Sequence, residues 1–206
     1  MCFSEKSSIL TFIIGIISSI LLIFYGSKKY AKENLIAGLF FFFISFLQFF
    51  DYLIWSDIDN KAGINHLSTL IAPLFNYTQP NILYVLCENI YKKYNIFYFL
   101  LNLIYFIYVI IKYIKFISNK NNLITSKKYG HLYWKWKENF NHYFYVIMII
   151  FNVFAYMPLN YGLIFFLFGL FTLIISLKFF YNNTAELWCY FSAFIPVFIL
   201  TISYFI

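Results

Sequence analysis

The sequence predicts an all-α fold: a polytopic transmembrane helical bundle of about seven spans, the third of them broken by prolines. Two observations carry that class. Of 206 residues, 63% are hydrophobic and only 11% charged, with a mean hydropathy of +0.75, which excludes an ordinary soluble domain. The apolar residues also fall into runs of spanning length, parted by short polar turns and one long polar segment, 118–142. That segment must lie outside the hydrocarbon, because irregular backbone cannot face lipid. It joins two groups of helices within a single transmembrane domain, 1–206.

The first run, 9–25, is too long for the core of a secretory signal and has no small-residue cleavage site after it, so it reads as a span. A basic turn holding Lys28, Lys29 and Lys32 leads to the second, 35–55, which is dense in Phe. The third, 67–89, contains Pro73 and Pro80, with Asn76, Thr78, Gln79 and Asn81 close by. Each proline removes an N–H and crowds the carbonyl four residues back, so a bend or unwound stretch is expected between them. The fourth, 96–117, is apolar through Ile111 and lets Lys112 and Lys115 reach the headgroups from its last turns. After the loop come 143–156, 161–180 and 186–206, with tight turns between them. The run 143–156 is short for a crossing and could instead be re-entrant, paired with the run after it.

Seven crossings put ten lysines on the face that carries the N-terminus and five on the other. The positive-inside rule then favours a cytoplasmic N-terminus, although the first turn taken alone argues the reverse. With so few charges per length, the net charge of +7 suits anionic headgroups of the lipid bilayer and excludes a nucleic-acid footprint. Three cysteines are too few and too scattered for a disulfide framework.

Polar residues inside apolar runs are the candidate functional groups. Gln48, Asp51, Tyr52 and Trp55 recur at three- and four-residue spacing and share one helix face. An intramembrane carboxylate such as Asp51 either turns into the bundle and takes a partner or reaches interfacial water. Gln79 between two prolines fits a broken span that exposes carbonyls and amides to a substrate or ion, or else a simple kink repaired by Thr78 or Asn76. In the loop, Leu132, Trp134 and Trp136 alternate with His131, Tyr133, Lys135 and Lys137, which suits an extended interfacial segment with its indoles in the headgroup layer. Glu186 and Cys189 share a face at the start of the last run, where an acidic residue also simply complements the helix dipole. With no lysine in the last run, no paired histidines at zincin spacing and no Gly-rich phosphate loop, a retinal Schiff base and the common zinc and nucleotide motifs are excluded.

Several of these marks occur together in one family. Met1-Cys2-Phe3-Ser4, Gln48 with Asp51, Ala72-Pro73, Gln79-Pro80, Gly130-His131-Leu132 with Trp134, and Glu186-Leu187-Trp188-Cys189 resemble an uncharacterised family of small multi-span membrane proteins of giant viruses, algae and bacteria, whose members begin Met-Cys-Trp-Ser or Met-Cys-Phe-Ser. The resemblance implies a membrane location and a shared site, without an established activity. Phe3 departs from the commoner Trp, and the aromatic content of 26% is high. Three functions follow as expectations. The first is binding or transport of an ion or small molecule through a polar site at one membrane face, drawing on Gln48, Asp51, Gln79, His131, Trp134 and Glu186. The second is a structural or envelope protein. The third is a membrane-embedded enzyme with zinc held by Cys2, His131, Glu186 and Cys189, a thiolate, imidazole and carboxylate set.

Overall fold

Helix α1 (Glu5–Tyr25) begins four residues before its apolar run because Ser4 caps it: the Ser7 N–H donates to Ser4 Oγ at 3.2 Å, and the Ser4 N–H to Ser7 Oγ at 3.3 Å. The structure, a computed structural model, describes residues 4–119, 123–128, 130–179, 188 and 190–205. A short 3-10 turn (Lys28–Tyr30) leads into α2 (Ala31–Ser56), followed by α3 (Ile64–Tyr77), α4 (Gln79–Tyr91) and α5 (Ile96–Ser118). The loop then folds as strands β1 (Ser126–Lys128) and β2 (His131–Tyr133) and a 3-10 turn (Lys135–Asn139), before α6 (His142–Tyr156) and α7 (Leu159–Phe179). The last described helix, α8, is Ile195–Ile202.

Among the described residues the fold is all-α apart from that hairpin, and four helical segments are long and apolar enough to cross a membrane: Glu5–Tyr25, Lys28–Ser56, Ile96–Ser118 and Leu159–Lys178. Helix α6, at 15 residues, is shorter, about 22 Å at 1.5 Å per residue. The outer faces match a lipid setting. On α5, Phe97, Leu100, Ile104, Ile107, Ile111 and Ile114 form an exposed apolar stripe, while Asn102, Tyr105 and Val109 face inward. Helix α1 is arranged the same way, with Leu10, Ile13, Ile17 and Phe24 outside and Ser8, Thr11, Gly15, Ser18 and Ser19 inside.

That inner stripe of small residues lets α1 and α2 approach closely, the usual way helices pair where apolar surface gains nothing by leaving lipid. A Cβ at Gly15 would collide with the Ser45 side chain and stand 3.2 Å from Ala193 Cβ. Two of the inward hydroxyls bond to their own helix: Thr11 Oγ1 donates to the Ser7 carbonyl at 2.8 Å, and Ser45 Oγ to that of Phe41 at 2.8 Å.

Around the prolines, Pro73 lies inside α3 without ending it, and the helical assignment divides at Thr78 alone. Thr78 keeps near-helical angles (φ −84°, ψ −4°), and its N–H and hydroxyl both donate to the Leu74 carbonyl, at 3.0 and 2.6 Å. Carbonyls on either side of Thr78 are met from other helices. Tyr105 Oη donates to the Tyr77 carbonyl at 2.9 Å, and Asn152 Nδ2 to that of Pro80 at 2.9 Å. A second division, in the last run, falls at 193–194, just ahead of Pro196 in the first turn of α8, with 3-10-type bonds from the Phe194 and Val197 N–H groups on either side of the proline.

Candidate ligand-binding site

The loop end of the bundle is built from residues that consume one another. Asp57, closing α2, accepts backbone N–H bonds from Ala62, Ile64 and Asn65, the shortest 2.8 Å, and so caps α3. Gly63, at φ +77°, supplies the left-handed turn that brings those N–H groups round. Desolvation pushes the Asp57 carboxyl upward, but the backbone donors outweigh it and hold it below its usual range. Asn65 and Thr69 of α3 seize Thr125 at the start of the hairpin: the Thr125 N–H donates to Asn65 Oδ1 at 3.0 Å, and Asn65 Nδ2 to the Thr125 carbonyl at 2.9 Å. Gly130 turns the hairpin at φ +80° and sets Lys128 opposite His131.

The hairpin and its 3-10 turn thus lie on protein, and here an expectation is corrected. Leu132, Trp134 and Trp136 do share one side of the segment, but they are fully buried against Ile54, Tyr105, Val109 and Phe116 instead of sitting in the headgroup layer. The physical reason is a partner for the indole: Trp134 Nε1 donates to Asp51 Oδ1 at 2.8 Å, and the carboxylate is only 1% exposed. A charge-assisted bond to a buried carboxylate outweighs headgroup contact for that N–H. The alternation in the sequence is real; it is protein that covers the apolar side.

Of the other expected site residues, Gln48 is fully buried one turn before Asp51, and His131 is half-buried on β2. Cys2, Glu186 and Cys189 lie outside the described residues. Among the described residues, no three His, Cys, Asp or Glu side chains gather to hold a metal. Cys87 is buried beside the α2–α4 contact.

Gln79 stands in a different setting. It opens α4, is 1% exposed, and borders a cavity of about 190 Å³ between the middle of α2, the start of α4, α6, α7 and the last helical segment. The wall is apolar, with Phe40, Ile44, Ile149, Val153 and Phe165 prominent, and Tyr145, Trp188 and Ser192 add polar edges. Tyr145 Oη donates to Gln79 Oε1, and the Trp188 ring packs edge-on against that of Tyr145 at 5.8 Å. The Gln79 amide nitrogen, sealed from solvent, meets no acceptor among the described residues.

Sequence reasoning missed an asparagine clasp next to this cavity. Asn102 of α5 and Asn152 of α6 exchange side-chain bonds of 3.0 Å in both directions, and Asn81 Nδ2 donates to the Asn102 carbonyl at 2.8 Å. Isolated asparagines within apolar runs were the available signal. A search against protein-family models, curated proteins and solved structures finds no match to this chain.

Proposed function

We propose that this chain is a multi-pass membrane protein that binds a small molecule with an apolar body and a hydrogen-bond acceptor in the cavity beside Gln79. In this reading the chain crosses seven times from a cytoplasmic N-terminus, with α3 and α4 forming one crossing interrupted at Thr78. The observation that carries the reading is the buried amide nitrogen of Gln79 on an apolar wall. A buried donor without an acceptor costs roughly 1–3 kcal/mol, and a ligand carbonyl, ester or hydroxyl would relieve it. An apolar cavity of about 150 Å³ holds benzene. The somewhat larger volume of about 190 Å³ suits a ring or a segment of hydrocarbon chain. The resemblance to small multi-span proteins agrees with a membrane site and adds no ligand.

The structural or envelope reading is supported by the clasp of Asn81, Asn102 and Asn152, which fastens helices and needs no ligand. The two readings separate in the double variant Gln79→Met with Tyr145→Phe. Replacing both members of a buried hydrogen bond by apolar groups changes stability by less than about 1 kcal/mol. Binding at Gln79 predicts that organic extracts of the purified wild-type protein contain a stoichiometric lipophile, by mass spectrometry, that the variant has lost. The same lipophile in both, or none in either, would leave the structural reading.

A further inference from the structure

We propose that the occupant of the Gln79 cavity is an uncharged lipid with a ring carbonyl, of the quinone class, held at the centre of the bilayer; this rests on the membrane-crossing, ligand-binding reading above. The depth follows from where the lining residues fall along their helices. Ile149 is the middle residue of α6 and Gly169 of α7, Ile44 lies at the middle of α2, and Gln79 follows the division between α3 and α4, two helices of nearly equal length. At about 1.5 Å per residue, Gly169 stands roughly 15 Å from either end of α7, half the thickness of a hydrocarbon core of about 30 Å. Phospholipid esters and headgroups lie that far off, at the membrane faces. The acceptor that meets Gln79 therefore comes from a lipid without a headgroup.

Among the described residues, no side chain bordering the cavity is acidic, basic or a histidine. An ionised fatty acid or amine would lie there without a counter-charge, so the ligand is neutral. Two donors at the cavity edge are already engaged: Tyr145 Oη donates to Gln79 Oε1, and Trp188 Nε1 to the Gly169 carbonyl at 3.2 Å. What remains is the Gln79 amide nitrogen, a donor with no acceptor among the described residues. A ligand hydroxyl would bring a further donor to a place where the Gly169 carbonyl already takes Thr172 Oγ1 at 2.9 Å as well as Trp188, so an acceptor-only carbonyl fits better. The walls favour a ring. Phe40, Phe41 and Phe165 pack with centroids 5.2 to 5.7 Å apart, and a flat conjugated ring gains contact with such faces. Phe165, Gly169 and Leu173 recur every four residues and put one face of α7 on the cavity, where a Cβ at Gly169 would meet nothing within 4 Å.

The test is equilibrium binding of duroquinone to the full-length protein in phosphatidylcholine nanodiscs, corrected for partition into protein-free discs. Saturable binding is expected. Hexamethylbenzene, which has the same outline with methyl groups in place of both carbonyls, should compete about tenfold or more weakly at equal mole fraction in the bilayer. Gly169→Phe fills the space, improves helix propensity and should remove the binding, and Gln79→Met with Tyr145→Phe should weaken it about tenfold. Absence of saturable binding to the wild-type protein overturns the proposal, as does equal competition by hexamethylbenzene or undiminished binding to Gly169→Phe. The first two outcomes need no variant, so a variant that fails to fold does not shield the proposal. The cavity reading fails separately. No duroquinone binding, together with a phospholipid or fatty acid lost from extracts of the Gln79 and Tyr145 double variant, overturns the quinone class and leaves the cavity reading standing; no duroquinone binding and no lipophile in either extract ends both.

Discussion

The loop end and the α4–α6 region of this protein both bury polar groups and treat them differently. At the loop end, Asp51 takes the Trp134 indole, Asp57 takes three backbone N–H groups, and Asn65, Thr69 and Thr125 bond one another, although Trp136 Nε1 is buried there without an acceptor among the described residues. Along α4 and α6 the Asn102–Asn152 clasp is complete, yet Gln79 Nε2 is buried without an acceptor among the described residues. An unmet buried polar group costs more than a made bond returns, so the satisfied cluster at the loop end holds the fold together, and an unmet donor beside a cavity is the place where a ligand acceptor would gain most. Asp51 and Trp134 fasten the loop to the helices, whereas the Gln79 amide nitrogen meets no acceptor among the described residues.

The comparison breaks first, and hardest, at Trp134. Trp134→Ala removes a fully buried indole and leaves the Asp51 carboxylate without that donor, so a loss of about 3–5 kcal/mol is expected in denaturant unfolding in micelles. Loop cleavage by protease should rise in step. If Trp134→Ala unfolds like the wild type, the loop end is not fastened in this way. Asn152→Ala should cost less, about 1–2 kcal/mol, since interhelical bonds in lipid are individually modest. A cost as large as that at Trp134 would move the main fastening of the bundle from the loop to the clasp.

The smallest effect is a change in pH dependence at Asp57. Its folded carboxyl titrates below the ordinary value of 3.8, so its stabilising effect is whole above about pH 4 and is lost as pH falls through the lower folded value. Asp57→Asn should therefore flatten the acid limb of the stability curve below pH 4 and leave the neutral limb parallel to wild type. A wild-type curve already flat there would mean the α3 cap does not depend on charge.

Some of this was legible in the sequence. The apolar runs announced helices with lipid-facing stripes, 118–142 announced a loop, and the alternation from His131 to Lys137 gave the buried side of the hairpin correctly while naming the wrong cover for it. The caps at Asn95 and Asn141 were each readable in retrospect as polar residues just before an apolar run, with Asn95 Oδ1 accepting from the Phe97 N–H at 2.9 Å and Asn141 Oδ1 from the Tyr143 N–H at 2.9 Å. So was the Ser8, Thr11, Gly15, Ser18 series, whose three- and four-residue spacing matches one helix face.

What the sequence by itself determined is therefore what periodicity encodes: which residues share a face and which segments suit hydrocarbon. Partners belong to the tertiary structure. Asp51 and Trp134 are 83 residues apart and Gln79 and Tyr145 are 66 apart, so no local spacing relates them. Whether a buried polar atom is met or left waiting depends on which helices cross at its depth, and that is fixed by close approach at small residues such as Gly15 and by the asparagine clasp, both of which act between faces that are remote along the chain.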